Sequence, residues 1–372
     1  MTKLPKKERI RYKKRILVTK FLRDRADCDY MWSVWNTGFK YMAMKYLASN
    51  KPTKLNPRDV LQRFSDNDCL RFLRFTRAQV LRLADMLGVP KVVKTDCGFV
   101  VDGVCALTVL LYRLANPGTL NHLRLVFGLS ASRISETFKF MLHWVNSKWG
   151  HLLKLDIDRI VHLLPEFAEA VYASGAPMTR VWGFVHGTVR PVARPTRHQR
   201  AMYNGHKRCH AFKFQGTVTP DGVIVGLHGP VEGARHDAHV YQLSGLGQLM
   251  QEHMNVDGQA YKVYGDPAYG VSQHLCTPYE ATSAAALTPE MKDFNKRMSA
   301  CRVSVEWAFG EVSRLWAFCD YKPQQKSLLS PVATQYRVSV VLTNLHTCLN
   351  AGNQISDYFG VKPPTPEQYL GI

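Results

Sequence analysis

"RVWGFVHGTVRP" occupies residues 180–191. Val181 to Val185 are apolar or glycine, and a short apolar run of this kind reads as a buried strand. The run meets its first polar side chain at His186, followed by Gly187. The strand is expected to end there and to deliver His186 to the top of a sheet. His186 could be a ligand, a base, or a replacement for another residue. The rest of the chain is read outward from that question.

Beyond residue 191 the texture stays that of alternating strands. "CHAFKFQGTVTPDGVIVGLHGP" (residues 209–230) is a hairpin around Pro220-Asp221-Gly222, a strong turn signal. "HDAHVYQLSGLGQLMQE" (residues 236–252) is helical and broken near Gly245. "AYKVYGDPAYG" (residues 260–270) is a short strand ending at Asp266. Residues 298–316 form an amphipathic helix carrying Glu306, and residues 331–350 a last apolar helix. Three antiparallel strands, a helix, a further strand and a late helix describe an RNase H-like α/β layout, a mixed central sheet flanked by helices. In it the first and fourth strands are central neighbours, so His186, Asp266 and Glu306 should converge.

Before residue 180 the chain reads as helical. "FLRFTRAQVLRLADMLG" (residues 72–88) sets Phe72, Leu73, Phe75, Val80, Leu83 and Leu87 on one face, with Thr76 as N-cap and Gly88 as stop. Residues 101–114 and 120–127 give two helices, and "SASRISETFKFMLHWV" starts a longer one at Ser130 or Ser132. A short helix, a turn at Gly128 and a longer helix fit a helix-turn-helix, or ordinary helical packing. Residues 156–177 read as a connecting stretch ending in a Gly-Ala-Pro turn.

The 372 residues carry a formal charge of +20. Residues 1–150 hold 28 Lys and Arg against 11 Asp and Glu, and the remainder is nearly balanced. So uneven a distribution points to a polyanion, with nucleic acid the first candidate. "KKERIRYKKR" (residues 6–15) reads as a nuclear-import signal, a nucleic-acid arm or a solvated helix start. Nine scattered cysteines without a CxxC pair argue against a disulfide framework or zinc ribbon and for a reducing compartment. The apolar runs are too short for a membrane span, and the chain is expected to be soluble, intracellular and nuclear. His206, Cys209 and His210 lack a fourth zinc ligand at a usual spacing.

Five stretches in order, "GFVHGTVRP", "HAFKFQGTVTPDG", "GPVEGARHDAHVY", "YGDPAYG" and "RVSVEWAFGEV", resemble the DDE endonucleases of the Harbinger (PIF-like) transposases, over most of residues 95–350. The resemblance implies a nuclease that cleaves DNA and transfers strands with two Mg²⁺ or Mn²⁺ ions. It also implies a helix-turn-helix region and a separate Myb-like DNA-binding partner; a homo-oligomer is compatible with it. Its domain plan is a basic helical region at 1–95, a helix-turn-helix-like segment at 96–150, a connector at 151–179, the nuclease domain at 180–322, and a C-terminal helix and tail at 323–372.

By position Asp266 matches the family's second acid and Glu306 its final glutamate. The first acid falls at His186, before Gly187-Thr188, where the family motif reads Asp-Gly-Thr. An imidazole brings one nitrogen and no charge where a carboxylate brings two oxygens that can bridge two ions. Mg²⁺ prefers oxygen, whereas nitrogen suits softer ions. The swap therefore sets impaired cleavage against a site rebuilt for another metal, and a nuclease against a domesticated DNA-binding protein that keeps the fold. Asp237 also matches a family motif and reads as an N-cap or a secondary metal ligand. Arg302, one turn before Glu306, is its candidate partner. The acid-free run of Arg190, Arg194, Arg197, Arg200, Lys207, Arg208 and Lys213, with Arg133 and Lys139 on the longer helix, is the expected DNA contact.

DNA affinity should fall linearly on a log–log plot against salt, by about 0.9 in slope for each phosphate neutralised. Residues 1–150 should supply most of it. If residues 151–372 alone bind as tightly and with the same slope, the charge argument fails.

Overall fold

A computed structural model describes residues 60–283, 286–327 and 329–372, all within one compact unit, Asn56–Ile372. Residues 6–15 and most of the basic N-terminal region lie outside the described residues.

The helices begin where side chains can cap them. Ser65 and Asp68 form a capping box on α1 (Asp66–Leu73), and Thr76 and Gln79 another on α2 (Arg77–Met86). A small hairpin follows, β1 (Val92–Lys94) against β2 (Val100–Asp102). Asp102 then caps α3 (Gly103–Ala115), which is buried nearly all round. Next come α4 (Leu120–Phe127), closed by Gly128 in the left-handed region, and α5 (Ala131–Trp149), capped by Ser130. Arg113 of α3 lies between the rings of Phe138 and Phe318, 4.8 Å from each, so the helical half and the C-terminal half share one core.

Residues read as a connector form a full helix, α6 (Ile157–Ala173), capped by Asp156. Ile160, Leu164, Phe167, Ala168 and Val171 make a buried stripe at helical spacing. Pro165 lies inside it, where a proline usually ends a helix. Helix α6 packs against the central strand β3 (Val181–Pro191). That strand does not stop at His186; it runs five residues further, because pairing with the next long strand continues to Pro191.

The remaining elements are α7 (Gln199–Met202), β4 (Tyr203–Asn204), β5 (Cys209–Val218), β6 (Ile224–Glu232), α8 (Asp237–Ser244), α9 (Leu246–His253), β7 (Asn255–Val256), β8 (Gln259–Ala260), β9 (Lys262–Tyr264), β10 (Leu275–Cys276), α10 (Pro289–Leu315), α11 (Val332–Leu349), α12 (Gln354–Phe359) and α13 (Pro366–Leu370). The main sheet runs β10-β9-β3-β5-β6, with short β4 also paired to β5. β3 is antiparallel to β5 and parallel to β9. This is the mixed sheet with flanking helices expected from the strand pattern. Asn344 of α11 is fully buried; it accepts from the Ile224 N–H, donates to the Ile224 carbonyl and to the Tyr369 hydroxyl, and so ties α11 to β6 and to α13.

Helix α10 reaches the sheet over Gly216 of β5. A Cβ there would overlap the Phe309 ring of α10. Gly216→Ala should cost about 1–3 kcal/mol by overpacking, read as a lower denaturant midpoint at unchanged m. An unchanged midpoint would show that α10 is not held at this distance.

Candidate functional site

Alternation along β3 sends Phe184, His186, Thr188 and Arg190 to one face. Phe184 pairs in register with Tyr264 of β9. His186 stands two residues beyond Phe184 and Asp266 two residues beyond Tyr264, just past the end of β9, and the Asp266 charge acts on His186. On that face α10 presents Arg302, Glu306 and Phe309 at helical spacing. The His186 ring lies 6.1 Å from the Phe309 ring. Asp237 comes to the same place from the opposite face: its Oδ1 and the Tyr269 hydroxyl fill the space a side chain at Gly187 would need.

His186 is half-buried and its Nδ1 makes no hydrogen bond. Burial lowers its pKa, and the Arg302 charge lowers it further; Glu306, Asp266 and Asp237 pull the other way without reversing the shift. The imidazole is therefore neutral at pH 7. Each carboxylate is engaged within the protein. Asp237 Oδ1 takes the Lys213 ammonium at 2.9 Å, Glu306 Oε1 the Arg302 guanidinium at 3.4 Å, and Asp266 Oδ1 the Ala268 N–H at 3.1 Å. Tyr269 is buried with its hydroxyl unpartnered, and burial pushes its phenol pKa up.

Asp237 is the first residue of α8 and not its cap; His236 holds that position, and the Asp237 side chain turns to Lys213 instead. Two residues of the basic run also point inward. Arg190 is 7% exposed, donates to Ser313 Oγ, Asp320 and Thr188 Oγ1, and lies over the Tyr336 ring. Lys213 is held by Asp237 and the Arg235 carbonyl. Arg194, Arg197, Arg200, Lys207 and Arg208 remain exposed. On α5, Lys139 is exposed and paired with Glu136, while the half-buried Arg133 donates to the Val100 carbonyl. Tyr269 is a site residue that sequence reasoning did not place, and Lys213, read as a DNA contact, pairs with Asp237 instead. The only signal for Tyr269 was its position three residues after Asp266.

Residues 185–344 match the family model of the DDE superfamily endonucleases. The match spans His186, Asp237, Asp266, Arg302 and Glu306 but under half of the chain. No curated protein and no solved structure matches. Enzymes of this family are nucleases of the transposase type that act on DNA with divalent metals. The donor set here does not fit two hard ions. His186 offers one neutral nitrogen, one oxygen of each carboxylate is taken within the protein, and among the described residues no group of three His, Cys, Asp or Glu is arranged to hold a metal. For the expected Mg²⁺ or Mn²⁺ pair, His186 supplies one nitrogen where the resemblance places a carboxylate.

The depressed His186 pKa makes stability depend on pH. The unfolded imidazole protonates near its usual value of about 6.5, before the folded one, so stability falls as pH drops through and below that value. NMR titration should place His186 below 6.5. Glu306→Gln should lower it further, and Arg302→Met should raise it. A His186 titrating above 6.5 would sink this account.

Proposed function

We propose that the protein binds DNA on a DDE-endonuclease scaffold and that its own metal-dependent cleavage is impaired at His186. The observation that carries this reading is a neutral, half-buried imidazole within the field of Asp237, Asp266 and Glu306, at the position to which the resemblance gives an aspartate. The mixed sheet with β3 and β9 as central parallel neighbours supports an RNase H-like assignment. The five ordered motifs support the Harbinger type. The exposed cations Arg194, Arg197, Arg200, Lys207 and Arg208 supply a phosphate-contacting surface beside β5, and the basic N-terminal half supplies more charge. A nuclear location, a Myb-like partner and self-association belong to the same proposal. Among the described residues no helix is long and apolar enough to cross a membrane.

Without a bridging carboxylate, the chain's own residues can hold a strand but have little to activate a nucleophile with. A neutral His186 could accept a proton, yet the neighbouring Arg302 charge weakens it as a base. The surrounding carboxylates are committed to Lys213, Arg302 and the Ala268 N–H. Binding is thus the function the geometry favours.

Plasmid nicking by the wild type in Mg²⁺ should be weak, and His186→Asp should raise it by about two or more orders of magnitude, in line with what a well-placed catalytic group contributes. Both proteins should bind duplex DNA equally well. Strong Mg²⁺-dependent nicking by the wild type that His186→Asp leaves unchanged or lowers would overturn the proposal.

A further inference from the structure

A cavity of about 490 Å³ opens at the outer edge of the sheet, between β6, residues 153–155 and the start of α9. Lys154 bridges to Gly226 there. The volume falls in the range of small-molecule sites, roughly 300–1,000 Å³. Leu155, Leu227, Leu246 and Leu249 contribute apolar wall, and no Asp or Glu lines it. Two cations do, Lys154 and Arg337. Arg337 donates to Asn146 Oδ1 and to the Gly150 and Leu227 carbonyls, all neutral oxygens, so none of these bonds neutralises its charge.

Gln215 reaches the same cavity from β5 and is 3% exposed. The Ser244 hydroxyl donates to the Tyr241 carbonyl at 2.6 Å and accepts from Gln215 Nε2 at 3.1 Å. That pair of bonds fixes which end of the amide is which. Gln215 Oε1 is left buried with no hydrogen-bond partner. A buried acceptor of this kind is costly unless something donates to it. The cavity thus offers positive charge and an apolar body, and Gln215 in its wall holds an acceptor that no protein donor reaches. Gln215 stands opposite Gly187 in the β3–β5 register, one strand over from His186.

We propose that this cavity binds one nucleotide, with its phosphate against Arg337 and Lys154, its sugar and base against the leucines, and an N–H or O–H donated to Gln215 Oε1. Inorganic phosphate would use only the charge; an apolar molecule would leave the cations and the amide unmatched. The proposal rests on the DNA-binding reading only for the nucleotide's source, an unpaired position in a bound strand. A free mononucleotide carries the same chemistry.

The test is calorimetric titration of the full chain with dAMP, with inorganic phosphate, and with single-stranded and duplex oligonucleotides. dAMP should bind saturably and more tightly than phosphate. Lys154→Glu, at an exposed position, and Leu249→Trp, which fills the space, should each weaken it about tenfold or more. Gln215→Leu should weaken it with no loss in thermal midpoint, because the orphaned acceptor goes with the amide. Competition by single strands assigns the nucleotide to DNA; dAMP binding without competition assigns it to the free pool. No saturable dAMP binding, or dAMP binding unchanged in Lys154→Glu and Leu249→Trp, overturns the proposal. Duplex binding is scored separately, so its loss with dAMP binding intact would remove the DNA reading and leave the cavity standing.

Discussion

Helix α10 can lie against the sheet beside His186 because Gly216 has no side chain. The Phe309 ring takes the space that a Cβ would fill. Gly216 is the register partner of His186, so the gap and the imidazole are side by side. Move the helix outward and Arg302 and Glu306 leave the field of His186, since they lie on the same helical stripe as Phe309. The parallel pairing of β3 with β9 supplies the other half of the geometry by bringing Asp266 alongside.

What gathers there is a set of carboxylates partly neutralised within the protein. Lys213 meets Asp237, Arg302 meets Glu306, and Asp266 caps a short turn. A neutral histidine sits among them because desolvation and the Arg302 charge outweigh the three carboxylates. A two-ion nuclease site works in the opposite sense: its carboxylates stay under-neutralised until cations arrive. Surfaces for DNA do not suffer from this partial neutralisation. The exposed arginines and lysines between β3 and β5 have no acid in their own stretch, and the cavity at the β6 edge has none in its wall.

Local signals carried much of the fold. The Pro220-Asp221-Gly222 turn, the Thr76 cap, the break at Gly245 and the apolar run of α11 are all written in a few adjacent residues, and each element formed where its signal stands. Helix α6 was illegible because Pro165 is a helix breaker in most contexts; burial of a five-residue stripe against β3 outweighs it. The length of β3 was illegible for a related reason. Polar residues after Val185 looked like a strand end, yet Thr188 and Arg190 are buried by partners more than a hundred residues away, Ser313, Asp320 and Tyr336.

The candidate site divides the same way. Sequence alone raised the expectation that His186, Asp266 and Glu306 form one motif series with an imidazole at its first acidic position, because residue identity and order need no partner to be read. Tertiary structure alone decided that Asp237 pairs with Lys213 and does not cap α8, that Arg190 is a core residue, and that Tyr269 closes over Gly187. Those outcomes depend on which charge lies within a few ångströms of which, and Coulomb energy is a function of distance and burial that linear spacing does not contain.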